Sequence, residues 1–296
     1  MTGTEKSPAL AAELCYFPCF DSFPVFHYSA GTGQKKERAA KMLPCRCNLD
    51  ARSLVLYNEY EGVFTMSRDS IKMVAMLTML INHIANVFLP AGQMLTNLCL
   101  CIGYFTAVTM CFFLVEGYGC TRSKRRYAGR LLGFAVLAQL PYQLAFPANG
   151  IAGFVQFNML FTLLLCFLVL LVQEKIQDRV LRGVCIVLLL CASLFCDWAL
   201  LAPVFTLLFS WVGGNRTRQK AAFGAVALLY GGMAGLGSGQ VWEAVGCAVP
   251  ILVSAFVILY LYNGRRAARG RTFYKWFFYA FYPAHLLVLG LLRLAV

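Results

Sequence analysis

The sequence predicts an all-α polytopic membrane bundle of about nine transmembrane helices with its N-terminus in the cytoplasm. Three observations predict this. Of the 296 residues, 60% are apolar and 13% charged, with a mean hydropathy of +0.67; a soluble domain carries about 25% charged residues and has no core large enough to bury such a surplus. The apolar residues fall in runs close to the ~20 residues that cross a hydrocarbon core of ~30 Å. The Lys and Arg residues fall in alternate loops between those runs, as orientation in a bilayer demands.

Residues 1–67 stand apart. They hold seven Lys/Arg and seven Asp/Glu, several Gly and Pro, and no helical period. They lack the basic start and apolar stretch of a secretory leader, so the segment is expected to be a disordered N-terminal extension. Met66 opens Met66-Ser67-Arg68-Asp69-Ser70 directly before the first apolar run. This makes Met66 a candidate true start, a reading that peptides from upstream of it, found by mass spectrometry of the native protein, would overturn. The membrane domain is expected over 68–296.

Nine spans follow, near 71–90, 98–117, 128–146, 156–173, 181–196, 198–213, 220–237, 242–262 and 274–295. The fifth and sixth are separated by little more than Asp197, so one of them is expected to be short or re-entrant. Cations cluster before span one (Arg68, Lys72) and after spans two (Arg122 to Arg130), four (Lys175, Arg179, Arg182), six (Arg216, Arg218, Lys220) and eight (Arg265 to Lys275). The intervening loops near 91–97, 147–155 and 237–241 contain neither Lys nor Arg. Of the 19 cations after residue 67, Arg293 alone falls on the other side. The net charge of +13 is therefore topogenic, and its confinement to one face argues against nucleic acid as a partner. A functional use remains open for two of these clusters, 122–130 and 265–275, as holders of a phosphate-bearing cofactor.

Cysteines and glycines have plain readings. Cys99, Cys101, Cys111, Cys166, Cys185, Cys191, Cys196 and Cys247 lie in apolar runs, where a free thiol is a small hydrophobe. Cys15, Cys19, Cys45 and Cys47, with His27 between the pairs, are too irregularly spaced for a metal site, and no metal is expected. Gly231 to Gly237 permits close helix packing; no Lys follows to make it a phosphate loop.

Ionisable groups at bilayer depth are costly, and each is a candidate site. His83 lies twelve residues into span one, about 18 Å from its start, flanked by Asn82 and Asn86. A neutral imidazole there suits a general base or an interhelical hydrogen bond. His285 sits at similar depth in span nine, after Pro283, whose missing N–H frees a carbonyl that His285 is placed to satisfy. Glu116 ends span two and Arg130 opens span three, an expected ion pair. Asp197 is the acidic residue between spans five and six, Gln156 and Asn158 open span four, and Gln139 and Gln143 flank Pro141-Tyr142.

Several stretches together resemble the TraX family over about 68–296. They begin with Ile71-Lys72 through Met79-Leu80-Ile81-Asn82-His83-Ile84 and Phe113-Leu114-Val115-Glu116-Gly117-Tyr118 with Thr121-Arg122. Tyr127 with Arg130-Leu131, Leu140-Pro141-Tyr142 with Leu144-Ala145-Phe146, Asn158 with Phe161-Thr162-Leu163, and Asp197-Trp198 continue the likeness. The most specific piece is Lys275-Trp276-Phe277-Phe278-Tyr279 with Tyr282-Pro283-Ala284-His285-Leu286. The resemblance implies a multi-pass protein of the bacterial inner membrane. It implies an acetyltransferase: TraX acetylates the N-terminus of F-type pilin, and the family is distantly similar to membrane acyltransferases that use cytoplasmic acetyl-CoA. The acceptor would be a pilin-like peptide amine or another envelope group. On this reading His83 is the catalytic base, His285 a second polar group in the cavity, and Arg122, Arg130 and the other cytoplasmic-side Lys and Arg residues hold the CoA phosphates. Glu116, Asn158, Asp197 and Tyr282 complete the expected binding set. The chain departs from the family at Asn82, Gln139 and Gln143, where carboxylates are usual; amides hydrogen-bond but cannot orient an imidazole by charge. The competing reading is a non-catalytic transport or assembly protein, favoured by those amides and by the Gly-rich seventh span.

Overall fold

The computed structural model describes residues 65–295, apart from 91, 148–149 and 152–153. Both the N-terminal extension and the proposed start at Met66 concern residues that lie outside this set or at its edge. Among the described residues the chain forms nine helices: α1 Arg68–Phe88, α2 Met94–Cys120, α3 Lys124–Ala145, α4 Met159–Lys175, α5 Arg179–Ser193, α6 Leu201–Val212, α7 Arg216–Ser238, α8 Val241–Phe256 and α9 Arg271–Ala295. They fall where the apolar runs predict them. A two-residue antiparallel ladder, β1 Gly150–Ile151 with β2 Phe154–Val155, was not foreseen in the loop before α4. The π-helical turn Val257–Leu261, which continues α8, was likewise unforeseen.

Starts and stops are local. Ser67, Ser123, Asn158, Asp178 and Asn215 each turn a side-chain oxygen onto an N–H of the first helical turn, which satisfies a donor that the helix itself leaves open. Gly239, at φ 68°, closes α7 in the left-handed region that glycine occupies freely.

Five helices, α1, α2, α7, α8 with its π-turn, and α9, are long and apolar enough to cross a membrane. The others fall short for different reasons. The first turns of α3 carry Lys124, Arg125, Arg126 and Arg130, while α4, α5 and α6 have 17, 15 and 12 residues. On the outer surface of α5, Val180, Leu181, Val184, Val187 and Leu188 are all exposed, a face suited to lipid rather than water.

The central helix is α2, which packs against α1, α4, α6 and α8, while α9 closes the bundle onto α3 and α1. Phe113, Phe167, Phe205 and Phe223 are the largest fully buried side chains of its core. Small residues set the closest approaches. A Cβ on Gly231 would stand 2.8 Å from the Ala244 carbonyl, and one on Gly235 2.9 Å from the Ala244 side chain. The Gly-rich stretch is thus taken up in α7–α8 packing. On the other side of the bundle, a Cβ on Gly290 would lie 2.8 Å from Leu144 Cβ and 3.1 Å from the Ala145 nitrogen. Gly290→Leu is expected to pry α9 from α3 and cost about 1–3 kcal/mol by overpacking. Thermal unfolding in detergent checks this: an unchanged midpoint would mean that the interface has slack.

Candidate functional site

About one turn before its C-terminal end, α1 presents His83 to α9. The Nδ1 of His83 lies 2.9 Å from Nε2 of His285, and the Nδ1 of His285 lies 2.8 Å from the carbonyl of Phe281. A carbonyl only accepts, so His285 carries its proton on Nδ1 and offers Nε2 as acceptor. His83 must then donate from Nδ1, which leaves its Nε2 as an unprotonated lone pair. Among the described residues no hydrogen bond reaches that nitrogen. Phe281 stacks on His285 at 4.9 Å, and Phe146 stands edge-on to His83 at 5.3 Å, fixing both rings. Both histidines are buried. The carbonyl that His285 takes is that of Phe281, one turn back, whereas Pro283 withholds its N–H from Tyr279. His285 thus satisfies a carbonyl other than the one Pro283 frees, its second ring nitrogen meets His83, and neither ring is among the cavity-lining residues.

Toward the cation-bearing end, a cavity of about 430 Å³ opens between α1, α2, α3, α4 and α9, within the range of small-molecule sites. Seven cations line it: Arg68 and Lys72 from α1, Arg122 and Arg130 around the start of α3, and Arg266, Arg271 and Lys275 leading into α9. Asp69 is the one carboxylate of its lining, and its Oδ2 is already engaged by the Ala267 N–H at 2.8 Å. The Nε of Arg130 is buried and has no hydrogen-bond partner among the described residues. A buried donor left open calls for an acceptor. Inward the lining turns apolar, with Met76, Met79, Met110 and Leu163, and Tyr282 joins it. Met79 is one helical turn before His83, and Tyr282 one turn before His285. Tyr282 packs edge-on to the His285 ring at 5.6 Å.

The mouth is held by residues far apart in sequence. Met66 pairs in parallel with Tyr262, and the Arg68 N–H donates to the Arg265 carbonyl at 2.9 Å. Glu116 departs from expectation. The cation found beside it is Arg68, whose Nε lies 3.6 Å from its carboxylate, while Arg130 turns into the cavity. The reason is geometric: Arg68 reaches across Gly117 to give Nη2 to the Phe113 carbonyl at 2.8 Å, and a Cβ on Gly117 would meet it at 2.9 Å. Tyr262 donates to the other carboxylate oxygen at 2.6 Å. Glu116 therefore braces the wall and is absent from the cavity lining.

Asn158 is also a structural residue. Its Nδ2 donates to Ala135 O and Gln139 Oε1, both at 2.8 Å, and its Oδ1 caps α4. The amides at the departures from family pattern are used as amides. Gln139 accepts from Asn158 and donates to the Gln156 carbonyl at 2.9 Å. Asn82 donates to the Leu100 carbonyl at 2.7 Å and lies over Gly103. A carboxylate has no proton to give in either place. Neither amide hydrogen-bonds to His83 among the described residues; His285 supplies the acceptor that orients it. Asp197 lies in the turn between α5 and α6, outside the cavity lining.

Of the expected residues, the structure gathers His83 with His285, and Arg122, Arg130 and Tyr282 around the cavity. It keeps Glu116, Asn158 and Asp197 out of its lining. Arg68 and Lys72, expected only as members of the cytoplasmic-side cation set, line the cavity too. Their spacing held the signal: residues 68, 72, 76, 79 and 83 run up one face of α1.

A family model described as TraX protein matches residues 67–293. The chain is 32% identical over 230 residues to a Dichelobacter nodosus protein described as a probable fimbrial assembly protein FimC of serogroup H1, covering 74% of this chain and 92% of that one. No solved structure matches. With the family model spanning all nine helices, and with that relative matched over nearly its whole length, the chain belongs to the TraX family.

Proposed function

We propose that the chain is an acetyl-CoA-dependent membrane acyltransferase that acetylates a peptide amine of an envelope protein, with a pilus or fimbrial subunit as the acceptor class. The observation that carries this reading is the cavity, cationic at one end and apolar inward, whose inner lining stops one helical turn from a base-competent histidine. With the cation-bearing loops on the cytoplasmic side, as their asymmetry predicts, that mouth is in reach of acetyl-CoA.

The residues fit such a donor. Arg122, Arg130, Arg266, Arg271 and Lys275 supply planar forks and ammonium groups for the pyrophosphate and ribose phosphate, and the open Nε of Arg130 gains an acceptor. The methionine-lined stretch suits an unbranched pantetheine arm. Acetyl-CoA supplies an activated thioester. In the transfer an N–C bond forms on the acceptor amine, the C–S bond breaks, the amine loses a proton and the departing sulfur takes one up. His83 Nε2 is the group that can hold that proton between the two events. When it does, the positive ring still donates from Nδ1 to His285, and the Phe281 carbonyl dipole backs the pair. Amides at 82, 139 and 143 leave this device intact, because His285 and a carbonyl orient the base.

Calorimetry on the full-length protein in detergent tests the reading. Acetyl-CoA is expected to bind, and Arg122→Ala/Arg130→Ala to weaken it by about tenfold or more, each lost charged hydrogen bond being worth about 1.5–3 kcal/mol. Absence of binding by folded protein, or binding indifferent to both arginines, would overturn it.

A further inference from the structure

The cavity and the histidine pair do not meet. Neither His83 nor His285 is among the residues that line it, although acyl transfer needs the thioester beside His83 Nε2. On α1 the lining ends at Met79, and on α9 it ends at Tyr282, four and three residues before the two histidines. Side chains on a helix lean toward its N-terminus, which for both helices is the cationic mouth. The Met79 thioether and the Tyr282 ring therefore reach back into the cavity as its floor, with the histidines behind them.

The two halves of this floor differ in freedom. Tyr282 is held: its hydroxyl accepts the Met159 N–H at 3.2 Å, and its ring packs edge-on to His285 at 5.6 Å. Met79 is buried, yet its side chain is unbranched and flexible and has no strong polar group to tie it down. The backbone that carries it is fixed. Thr106 Oγ1 of α2 donates to the Ala75 carbonyl at 2.7 Å and lies 2.8 Å from Thr78 Oγ1, which clamps this turn of α1 to α2. The depth of the cavity on the α1 side is thus set by one side chain, and not by a helix that can slide.

We infer that Met79 is the acyl-length gauge of the cavity. The methyl end of a donor's acetyl group comes to rest against its thioether, and a longer acyl chain collides with it. This rests on the acyltransferase reading for the nature of the ligand and adds the residue that selects the shortest acyl group. Met79→Ala removes Cγ, Sδ and Cε and leaves a space that the clamped surroundings refill only in part, so the floor drops toward His83.

Calorimetry of the full-length protein in detergent with CoA, acetyl-CoA and butyryl-CoA reads the gauge. Wild type is expected to bind butyryl-CoA at least about tenfold more weakly than acetyl-CoA, the size of an overpacking penalty. Met79→Ala is expected to reverse that order, each added methylene gaining up to about fourfold once it has space to fill. Its affinity for CoA, which carries no acyl chain, is expected to stay as in wild type. Met79→Val, a milder truncation, should reverse the order in part, and the volume-conserving Met79→Leu should keep it. Met76→Ala, one turn nearer the mouth, widens the wall without lowering the floor and should also keep the wild-type order. Equal binding of both thioesters by wild type, a butyryl penalty that survives both truncations at 79, or the same reversal in Met76→Ala would each overturn the gauge while the acyltransferase reading stands. Folded wild type that binds none of the three ligands would overturn that reading and the gauge together.

Discussion

His83→Ala is expected to lower acetyl transfer to a free-amine peptide by about 10²–10⁴-fold, the range that a positioned general base supplies, while acetyl-CoA binding stays as in wild type. Separating the two measurements matters, because His83 is absent from the cavity lining and its loss leaves the cavity's cations untouched. His285→Ala should cost less and in a different way. Without His285 Nε2, the His83 Nδ1–H has no acceptor, and the ring is free to move its proton to Nε2, the nitrogen that must be bare. Part of the population then holds the wrong tautomer, so kcat falls with little change in KM. His285→Gln, whose amide oxygen can accept, should recover more rate than His285→Ala. A variant set in which His285→Ala abolishes transfer while His83→Ala retains it would reverse the two roles.

The second large effect concerns stability. Arg68 is 5% exposed and joins two helices: it belongs to α1 and reaches α2 at the Phe113 carbonyl, 2.8 Å away, and at Glu116, 3.6 Å away. Arg68→Ala leaves the Glu116 carboxylate buried with the Tyr262 hydroxyl, and breaking a buried pair from one side costs about 3–5 kcal/mol. A shift of this size is expected in SDS-titration midpoints of protein in mixed micelles. The double change Arg68→Met/Glu116→Gln removes both charges and keeps the volume, so it should lie closer to wild type than Arg68→Ala does. If the single and double variants coincide, the pair contributes nothing and the loss is one of packing. Arg68 also lines the cavity, so both variants should weaken acetyl-CoA binding even where stability recovers.

The helices were legible because an apolar run of span length and a capping Ser, Asn or Asp are local features. Their number of crossings was less so, since α5 and α6 look like spans by composition and only their measured lengths show how far they reach. At the site, the stripe of Arg68, Lys72, Met76, Met79 and His83 was readable from helical spacing. The partnership of His83 with His285 was not, as the two are 202 residues apart and nothing local links them. Glu116 shows the opposite failure. Its nearest cation across a short loop is Arg130, whereas the fold supplies Arg68 through a passage that only Gly117 leaves open. The amides at 82 and 139 read as lost charge in the sequence, while their hydrogen bonds give them work that only a donor can do.

The cross-links at the mouth also govern when during biosynthesis the protein becomes competent. Asp69 and the Ala267 N–H that it accepts are 198 residues apart. A chain emerging from the ribosome inserts α1, α2 and α3 long before the stretch from Tyr262 to His285 exists. Through that interval Arg68 lacks the Arg265 carbonyl, Glu116 lacks Tyr262, and His83 lacks the ring that sets its tautomer. Until α9 is made, the nascent protein thus has four of the five helices that wall the cavity and a His83 without its partner ring. Arrival of α9 supplies three of the seven cations and the second imidazole in one docking event. A copy truncated before that helix lacks three of the seven cations and the second imidazole, and on the proposed function it is expected to be inert.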